Sequence, residues 1–76
     1  MEKQEILNIV SPIVGNYKMT AKISGNNQVI ILDSKNRFAG WIDTDNKKVV
    51  AKYQGSKVLL GSIVRNALVQ ALNYNY

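Results

Sequence analysis

The chain has 76 residues, of which 46% are hydrophobic, and its formal net charge is +5. A sequence of this length has room for one hydrophobic core, so it predicts a single domain over residues 1–76. Cysteine and histidine are both absent, which excludes disulfides, Cys/His zinc sites, thiolate nucleophiles and an imidazole base.

The charged residues are distributed unevenly along the chain. All five acidic residues precede position 46, whereas half of the ten basic residues follow it. This asymmetry attracts anionic partners such as a phosphate backbone or an acidic protein surface. No segment approaches the roughly 18 apolar residues of a membrane span, and the start MEKQEILNIV lacks the apolar run of a signal peptide. We therefore expect a cytoplasmic protein with no membrane partner.

The N-terminal residues predict a short helix. Apolar residues recur near helical spacing over residues 2–10, and two early glutamates suit the positive end of a helix dipole. Ser11 and Pro12 should interrupt this helix because proline lacks the amide hydrogen. Any further turn should end at Gly15.

Three strands and two reversals follow this helix. Residues 17–24 alternate apolar and polar side chains, as in a half-buried strand, and residues 28–33 form a β-branched strand that is apolar on both sides. Residues 25–27 (Gly-Asn-Asn) form the first reversal, and residues 34–37 form the second before a strand over residues 38–43. The second turn is ambiguous by one residue, and such a slip exchanges the two faces of a strand.

A turn centred on Asp45 and Asn46 predicts the register of the last hairpin. On one face the cross-strand partners in this register are apolar: Phe38 lies opposite Tyr53, Gly40 opposite Ala51, and Ile42 opposite Val49. On the other face Asp43 lies opposite Lys48, Trp41 opposite Val50, and Ala39 opposite Lys52. Oppositely charged and aromatic-aliphatic partners stabilise a ladder by about 0.2 to 1 kcal/mol per pair, which favours this register.

The C-terminal segment predicts a longer helix from Ser56 to about Asn73. Its apolar residues form one stripe, and Ser56 is a suitable cap. Gly61 inside the helix costs about 1 kcal/mol. The alternative is a short extended stretch over residues 57–60, followed by a helix capped by Ser62.

The predicted fold class is α+β, with the order α-β-β-β-β-α. A short N-terminal helix precedes a four-stranded antiparallel meander, and the C-terminal helix packs on one face of the sheet. Both helices should share that face, which leaves the other face open. The Tyr-Asn ending at residues 73–76 should fray.

The only tryptophan lies on the open face in this register. Bases stack on an exposed ring with about 1 to 3 kcal/mol per base, and lysines contact the phosphates. The basic residues expected on the same face as Trp41 are Lys18, Lys22, Lys48 and Lys52. The alternative is that the register is shifted, that the tryptophan belongs to the core and that the lysines only keep the sheet soluble.

A protein partner is the rival interpretation. In one register Val29 and Ile31 join Trp41 and Val50 in an apolar patch larger than a monomer usually exposes. Such a patch is typical of a dimer interface or of the binding surface of a small inhibitor.

Gly55, Ser56 and Lys57 stand at the expected start of the last helix, where free amides attract phosphate. The alternative is a simple turn and cap. The element order and these three residues resemble the double-stranded RNA-binding domain, whose post-sheet helix places N-terminal lysines on phosphates. The sequence departs from that family in its fourth strand and in the apolar residues 58–60.

Catalysis is not expected, because no candidate nucleophile has an evident base and the aspartates suit turns better than a metal site. The sequence predicts a non-enzymatic module without metal, cofactor or small-molecule substrate, which binds DNA or RNA. The expected contact residues are Trp41 as the stacking platform, Lys48, Lys52 and Lys57 at phosphates, and Lys18 and Lys22 as further contacts. The alternative is a small protein-binding inhibitor or accessory factor, of the phage or mobile-element type, or a homodimer joined through the same face.

Overall fold

The computed structural model describes residues 2–25 and 28–75, and their fold is α+β, as predicted. The first four strands form one antiparallel sheet in chain order, and the last two form a separate hairpin. The elements are α1 (Lys3–Gly15), β1 (Thr20–Ile23), β2 (Val29–Leu32), β3 (Phe38–Asp43), β4 (Lys48–Ala51), β5 (Tyr53–Gln54), β6 (Lys57–Val58) and α2 (Ser62–Leu72).

Both helices cover one face of the sheet, and the core lies between them. Helix α1 packs on β1 and on α2, while α2 also packs on β4. The helices bury residues at four-residue spacing, which places them on one stripe of each helix. These core residues are Ile6, Val10 and Val14 in α1 and Val64, Leu68 and Leu72 in α2. The expectation that both helices share a face is confirmed.

Helix α1 runs through Pro12 to Gly15, so the predicted interruption at residues 11 and 12 is wrong. A proline inside a helix costs about 3 kcal/mol because one backbone hydrogen bond is lost and the ring crowds the preceding turn. Val10 and Val14 are both fully buried on either side of Pro12. Each buried valine contributes about 1.5 to 3 kcal/mol, which offsets the proline.

Strand β1 is shorter than predicted because the helix before it is longer. Tyr17 and Lys18 belong to the turn after α1, and Lys18 has a φ of 62°. The amide of Met19 donates to the carbonyl of Val14 at 3.0 Å, which closes this turn. Residues 17–19 therefore lie outside the strand, contrary to the prediction. Of the first predicted reversal, residues 26 and 27 lie outside the described residues.

Strand β3 contains a β-bulge. The bulge accounts for the one-residue ambiguity that the sequence left at the second turn. Leu32 lies opposite Phe38, but the preceding residue Ile31 lies opposite Gly40. Ala39 is thus an extra residue in β3, and its side chain is fully buried. A bulge of this kind breaks the alternation of side chains along a strand.

The bulge moves Phe38 to the side of the sheet that carries Trp41. Their rings stack with centroids 5.7 Å apart and an interplanar angle of 21°. The predicted inward position of Phe38, opposite Tyr53, is therefore wrong, as is the outward position of Ala39. Tyr53 pairs instead with Val58 in the hairpin.

The predicted register of β3 and β4 is confirmed from Gly40 to Asp43. The observed pairs are Gly40 with Ala51, Trp41 with Val50, Ile42 with Val49, and Asp43 with Lys48. Beyond the last pair, the amide of Lys52 donates to the carbonyl of Ala39 at 2.8 Å. The four-residue turn that joins the strands is centred on Asp45 and Asn46, as predicted.

Helix α2 begins at Ser62 with Gly61 as its N-cap, so the predicted start at Ser56 is wrong. The alternative of an extended stretch before the helix is confirmed for Lys57–Val58, but its predicted cap, Ser62, is wrong because Ser62 is the first residue of the helix. Gly55 adopts a φ of +64° between β5 and β6, a conformation that suits glycine in a tight hairpin turn. Lys57 is therefore not at a helix start, and the resemblance to the double-stranded RNA-binding domain loses the position on which it depended.

The residues after α2 are ordered up to Asn75, contrary to the predicted fraying. Asn73 ends the helix with a φ of 56°, and Tyr74 is buried in the core. The amide of Asn75 donates to the carbonyl of Lys47 at 2.9 Å, and the amide of Val49 donates to the carbonyl of Asn75 at 2.8 Å. The C-terminal segment thus covers part of the outer edge of β4; Tyr76 lies outside the described residues.

Candidate functional site

The sheet has a covered face, which packs on the helices, and an open face on the opposite side. Cross-strand partners share a face. One row on the open face runs Lys22, Ile30, Trp41, Val50, and a second runs Thr20, Leu32, Phe38. On the covered face the corresponding rows are Ile23, Val29, Ile42, Val49 and Ala21, Ile31, Gly40, Ala51.

Two aromatic rings form the centre of the open face. We call the stacked side chains of Phe38 and Trp41 the ring pair. Both lie on β3, an inner strand, and Phe38 is 37% exposed while Trp41 is partly buried. Stacked rings of this kind offer a flat surface to which a further aromatic ring can bind by stacking.

Aliphatic side chains surround the ring pair. Ile30, Leu32 and Val50 are partly buried on the open face. The predicted members Val29 and Ile31 are instead fully buried on the covered face. The difference follows from the register of β2, because Ile30 lies opposite Trp41 and its neighbours must point to the other side.

The structure brings some predicted cations together with the ring pair and separates others. Lys22 lies on the edge strand β1 in the same row as Trp41, and Lys48 lies on β4 opposite Asp43. Lys52 directly follows β4, and Lys57 lies on β6 opposite Gln54. Lys18 lies in the turn after α1 rather than on β1. All five lysines are exposed.

Asp33 organises the turn between β2 and β3. Its Oδ1 accepts hydrogen bonds from the amides of Lys35 and Arg37, both at 2.9 Å. Its Oδ2 pairs with Nε of Arg37 at 2.8 Å. The amide of Arg37 contributes most to a lowering of the pKa of Asp33 below its ordinary value of 3.8.

Asp43 has the same role in the turn between β3 and β4. The side-chain amide of Asn46 donates to its Oδ2 at 2.9 Å, and its Oδ1 accepts from the amides of Asp45 and Asn46. The bond from the Asn46 side chain is the main cause of a lowered pKa of Asp43, with a smaller contribution from Lys48. Asp33 and Asp43 are therefore turn-forming residues, as predicted. Over residues 2–25 and 28–75, no group of three or more acidic side chains could hold a metal ion.

Sequence reasoning missed the role of Phe38 beside Trp41. The stretch Phe38-Ala39-Gly40-Trp41 contains a signal for it, because two small residues between two aromatic residues are compatible with a bulge. In a regular strand, residues three positions apart lie on opposite faces. A bulge between them adds one residue and so places both on the same face.

The open face thus combines a stacked ring pair, three aliphatic side chains and exposed lysines.

Neither helix has the length and apolar character to cross a bilayer over the described part of the chain. No protein-family model matches this sequence, and no curated protein or solved structure matches it.

Proposed function

We propose that the protein is a small non-enzymatic module that binds nucleic acid through the open face of its sheet. The ring pair supplies the stacking platform, with Trp41 as its central member. The lysines supply the phosphate contacts, namely Lys22, Lys48, Lys52 and Lys57, with Lys18 as a further contact. We also expect the cytoplasm as its location, because a chain without cysteine requires no oxidising compartment.

The observation that carries this proposal is a stacked aromatic pair on a sheet face that the helices do not cover. Large aromatic side chains ordinarily contribute to a core, where they bury most of their surface. Phe38 and Trp41 instead lie opposite the core, beside exposed lysines. Aromatic platforms with neighbouring cations are the usual means of binding unpaired bases without sequence preference.

The charge of the chain supports the same proposal. The formal net charge is +5, so the protein attracts polyanions over distances comparable to a Debye length. Asp33 and Asp43 accept hydrogen bonds from their own turns. Each of the two carboxylates therefore already has hydrogen-bond donors within its own turn, which lower its pKa below 3.8.

The test is titration of labelled single-stranded and duplex DNA and RNA into the protein, with Trp41 fluorescence and anisotropy as readouts. Four phosphate contacts predict a log-log salt slope of roughly −3 for a single strand. Trp41→Ala should weaken binding by about fivefold or more, because base stacking contributes about 1 to 3 kcal/mol, and should leave the salt slope unchanged.

The matched control is Ile63→Ala. Ile63 lies on α2 and is 69% exposed, so the change removes an exposed apolar side chain away from the open face. Its binding should equal that of the unchanged protein. The proposal is wrong if the unchanged protein binds none of the four nucleic acids at low salt, or if both variants bind equally well.

A second candidate function is binding of a protein through the same face, either a different protein or a second copy. The observation that favours it is the aliphatic surface of Ile30, Leu32 and Val50 around the ring pair. Apolar surface with aromatic residues at its centre is typical of protein interfaces. A concentration-dependent mass of two protomers, abolished by Val50→Lys, would support this candidate over nucleic acid.

A further inference from the structure

We infer that the nucleic acid is single-stranded and that its backbone leaves the ring pair over the Phe38 end of the sheet, towards the β5–β6 hairpin. This inference rests on the proposed function, and it adds the strandedness of the ligand and the direction of its path. The position of the rings in the sheet indicates the strandedness of the ligand. The distribution of charge between the two ends of the sheet indicates the direction of its path.

The ring pair favours a single strand because of its position. Both rings arise from an inner strand, and neither is fully exposed, so they form a surface rather than a projecting wedge. In a duplex the faces of the bases are stacked on one another and are inaccessible to such a surface. Unpaired bases can rotate out and extend the stack of Phe38 and Trp41.

The antiparallel register defines two ends of the sheet. We call one the Phe38 end, where β2 and β4 finish and β1 and β3 begin. The other is the Asp43 end, where β3 finishes and β4 begins. The turn after α1, the turn between β2 and β3, and the hairpin all adjoin the Phe38 end. The turn between β3 and β4 forms the Asp43 end.

The two ends differ in charge. At the Asp43 end, the acidic residues Asp43 and Asp45 equal in number the basic residues Lys47 and Lys48. At the Phe38 end, one acidic residue, Asp33, faces the basic residues Lys18, Lys35, Arg37, Lys52 and Lys57. Asp33 is already paired with Arg37 at 2.8 Å, so the lysines determine the potential at this end. A polyanion that stacks on the rings is therefore drawn towards the Phe38 end.

The hairpin extends this cationic end beyond the sheet. The amide of Lys52 donates to the carbonyl of Ala39 at 2.8 Å. The carbonyl of Lys52 accepts from the amide of Leu59 at 2.9 Å. Lys52 thus joins the sheet to the hairpin through its backbone, while its side chain remains exposed. Lys57 follows on β6 and is exposed as well, and the residues from 53 to 56 carry no charge.

The test compares Lys57→Gln with Lys47→Gln. Both lysines are exposed, and each change lowers the net charge by the same amount, but they lie at opposite ends of the sheet. The probes are a labelled DNA strand of about 12 nucleotides, the RNA of the same sequence, and the duplex of each. Lys57→Gln should weaken single-strand binding about threefold to fivefold and reduce the magnitude of the salt slope by about 0.7. Lys47→Gln should bind as the unchanged protein does.

Two results would overturn the inference while leaving the proposed function intact. One is equal loss in the two variants, which would mean that only net charge matters. The other is binding of the duplex as tightly as of the single strand. If the unchanged protein binds no probe even at low salt, the proposed function fails and the inference fails with it. Thermal unfolding of both variants confirms that they are folded before binding is compared.

Discussion

The two faces of the sheet are made by adjacent residues of the same strands, and yet they are subject to different constraints. Ile42 and Val49 on the covered face are at most 1% exposed, whereas their neighbours Trp41 and Val50 on the open face are only partly buried. Both faces are apolar at their centres. Apolar composition alone therefore does not reveal which face belongs to the core.

The difference lies in how tightly each face is packed. A Cβ added at Gly40, on the covered face, would lie 2.5 Å from the carbonyl oxygen of Val50 and 3.0 Å from Cδ2 of Leu60. Protein cores are close-packed, so this face determines stability. The open face carries comparable side chains without a helix over them. Its apolar surface is therefore available for a partner, and we propose that this face binds the ligand.

The difference in packing between the two faces predicts that Gly40→Ala is strongly destabilising. The new methyl group would overlap a backbone oxygen that cannot move without disturbing the ladder between β3 and β4. We expect a loss of about 3 kcal/mol in the free energy of unfolding, the upper end of the usual range for overpacking, out of a total of about 4 to 11 kcal/mol for a chain of this length. Urea denaturation followed by circular dichroism measures it.

Gly61→Ala is the control for that substitution. Gly61 has no heavy atom within 4 Å of an added Cβ, and its φ of −62° suits any residue. Glycine is preferred to alanine at an N-cap position, so the change should cost about 1 kcal/mol, clearly less than Gly40→Ala. Similar losses at the two glycines would contradict the close packing of the covered face at Gly40.

A smaller effect is expected from one substitution made on each face. Val49→Thr and Val50→Thr replace the same side chain with one of similar shape and similar strand propensity. Val49→Thr buries a hydroxyl group among core residues and should cost about 1 to 3 kcal/mol. Val50→Thr should change the free energy of unfolding by less than about 0.5 kcal/mol, since surface changes usually do.

Unfolding of both variants under identical conditions gives the two values directly. If Val50→Thr is as costly as Val49→Thr, the open face is covered in solution, and a dimer through that face becomes the better interpretation. Repeating the measurement at several protein concentrations tests this outcome, because dimer stability depends on concentration.

The smallest effect concerns the turns, which belong to neither face. Asp33 and Asp43 have pKa values below the ordinary 3.8, so their ionised forms are favoured in the folded state. Their contribution to stability is present above about pH 4 and is lost as the pH falls through the lowered values. Asp33→Asn should therefore lower the melting temperature at neutral pH, and the difference from the unchanged protein should shrink in acid. A difference that stays constant as the pH falls would contradict this assignment.

Local sequence signals were sufficient where the chain's own neighbours determine the geometry. The turn centred on Asp45 and Asn46 and the four pairs from Gly40 to Asp43 followed from turn chemistry and from favourable cross-strand partners. In that register Trp41 lies on the open face, but the ambiguous second turn left a position in the core as the alternative. The turn and the four pairs depend on residues that are close in sequence, so a pattern of residue types predicts them.

Other features depended on contacts between distant parts of the chain. The helix continues past Pro12 because Val14 is buried in the core, and the C-terminal segment is ordered because Asn75 bonds to β4. In each case tertiary contacts override a local preference that the sequence expresses correctly.

Residue patterns were enough for the fold class, the uneven charge and the register from Gly40 to Asp43, because hydrophobic period and turn residues act locally. They left the length of the second turn open, and with it the face that carries Trp41. Strand pairing and long-range contacts were needed to show that Ala39 is an extra residue, that Phe38 stacks on Trp41, and that basic residues collect at one end of the sheet. A bulge depends on how two strands pair, and the position of a charge in space depends on the path of the whole chain, so neither follows from a local pattern of residues.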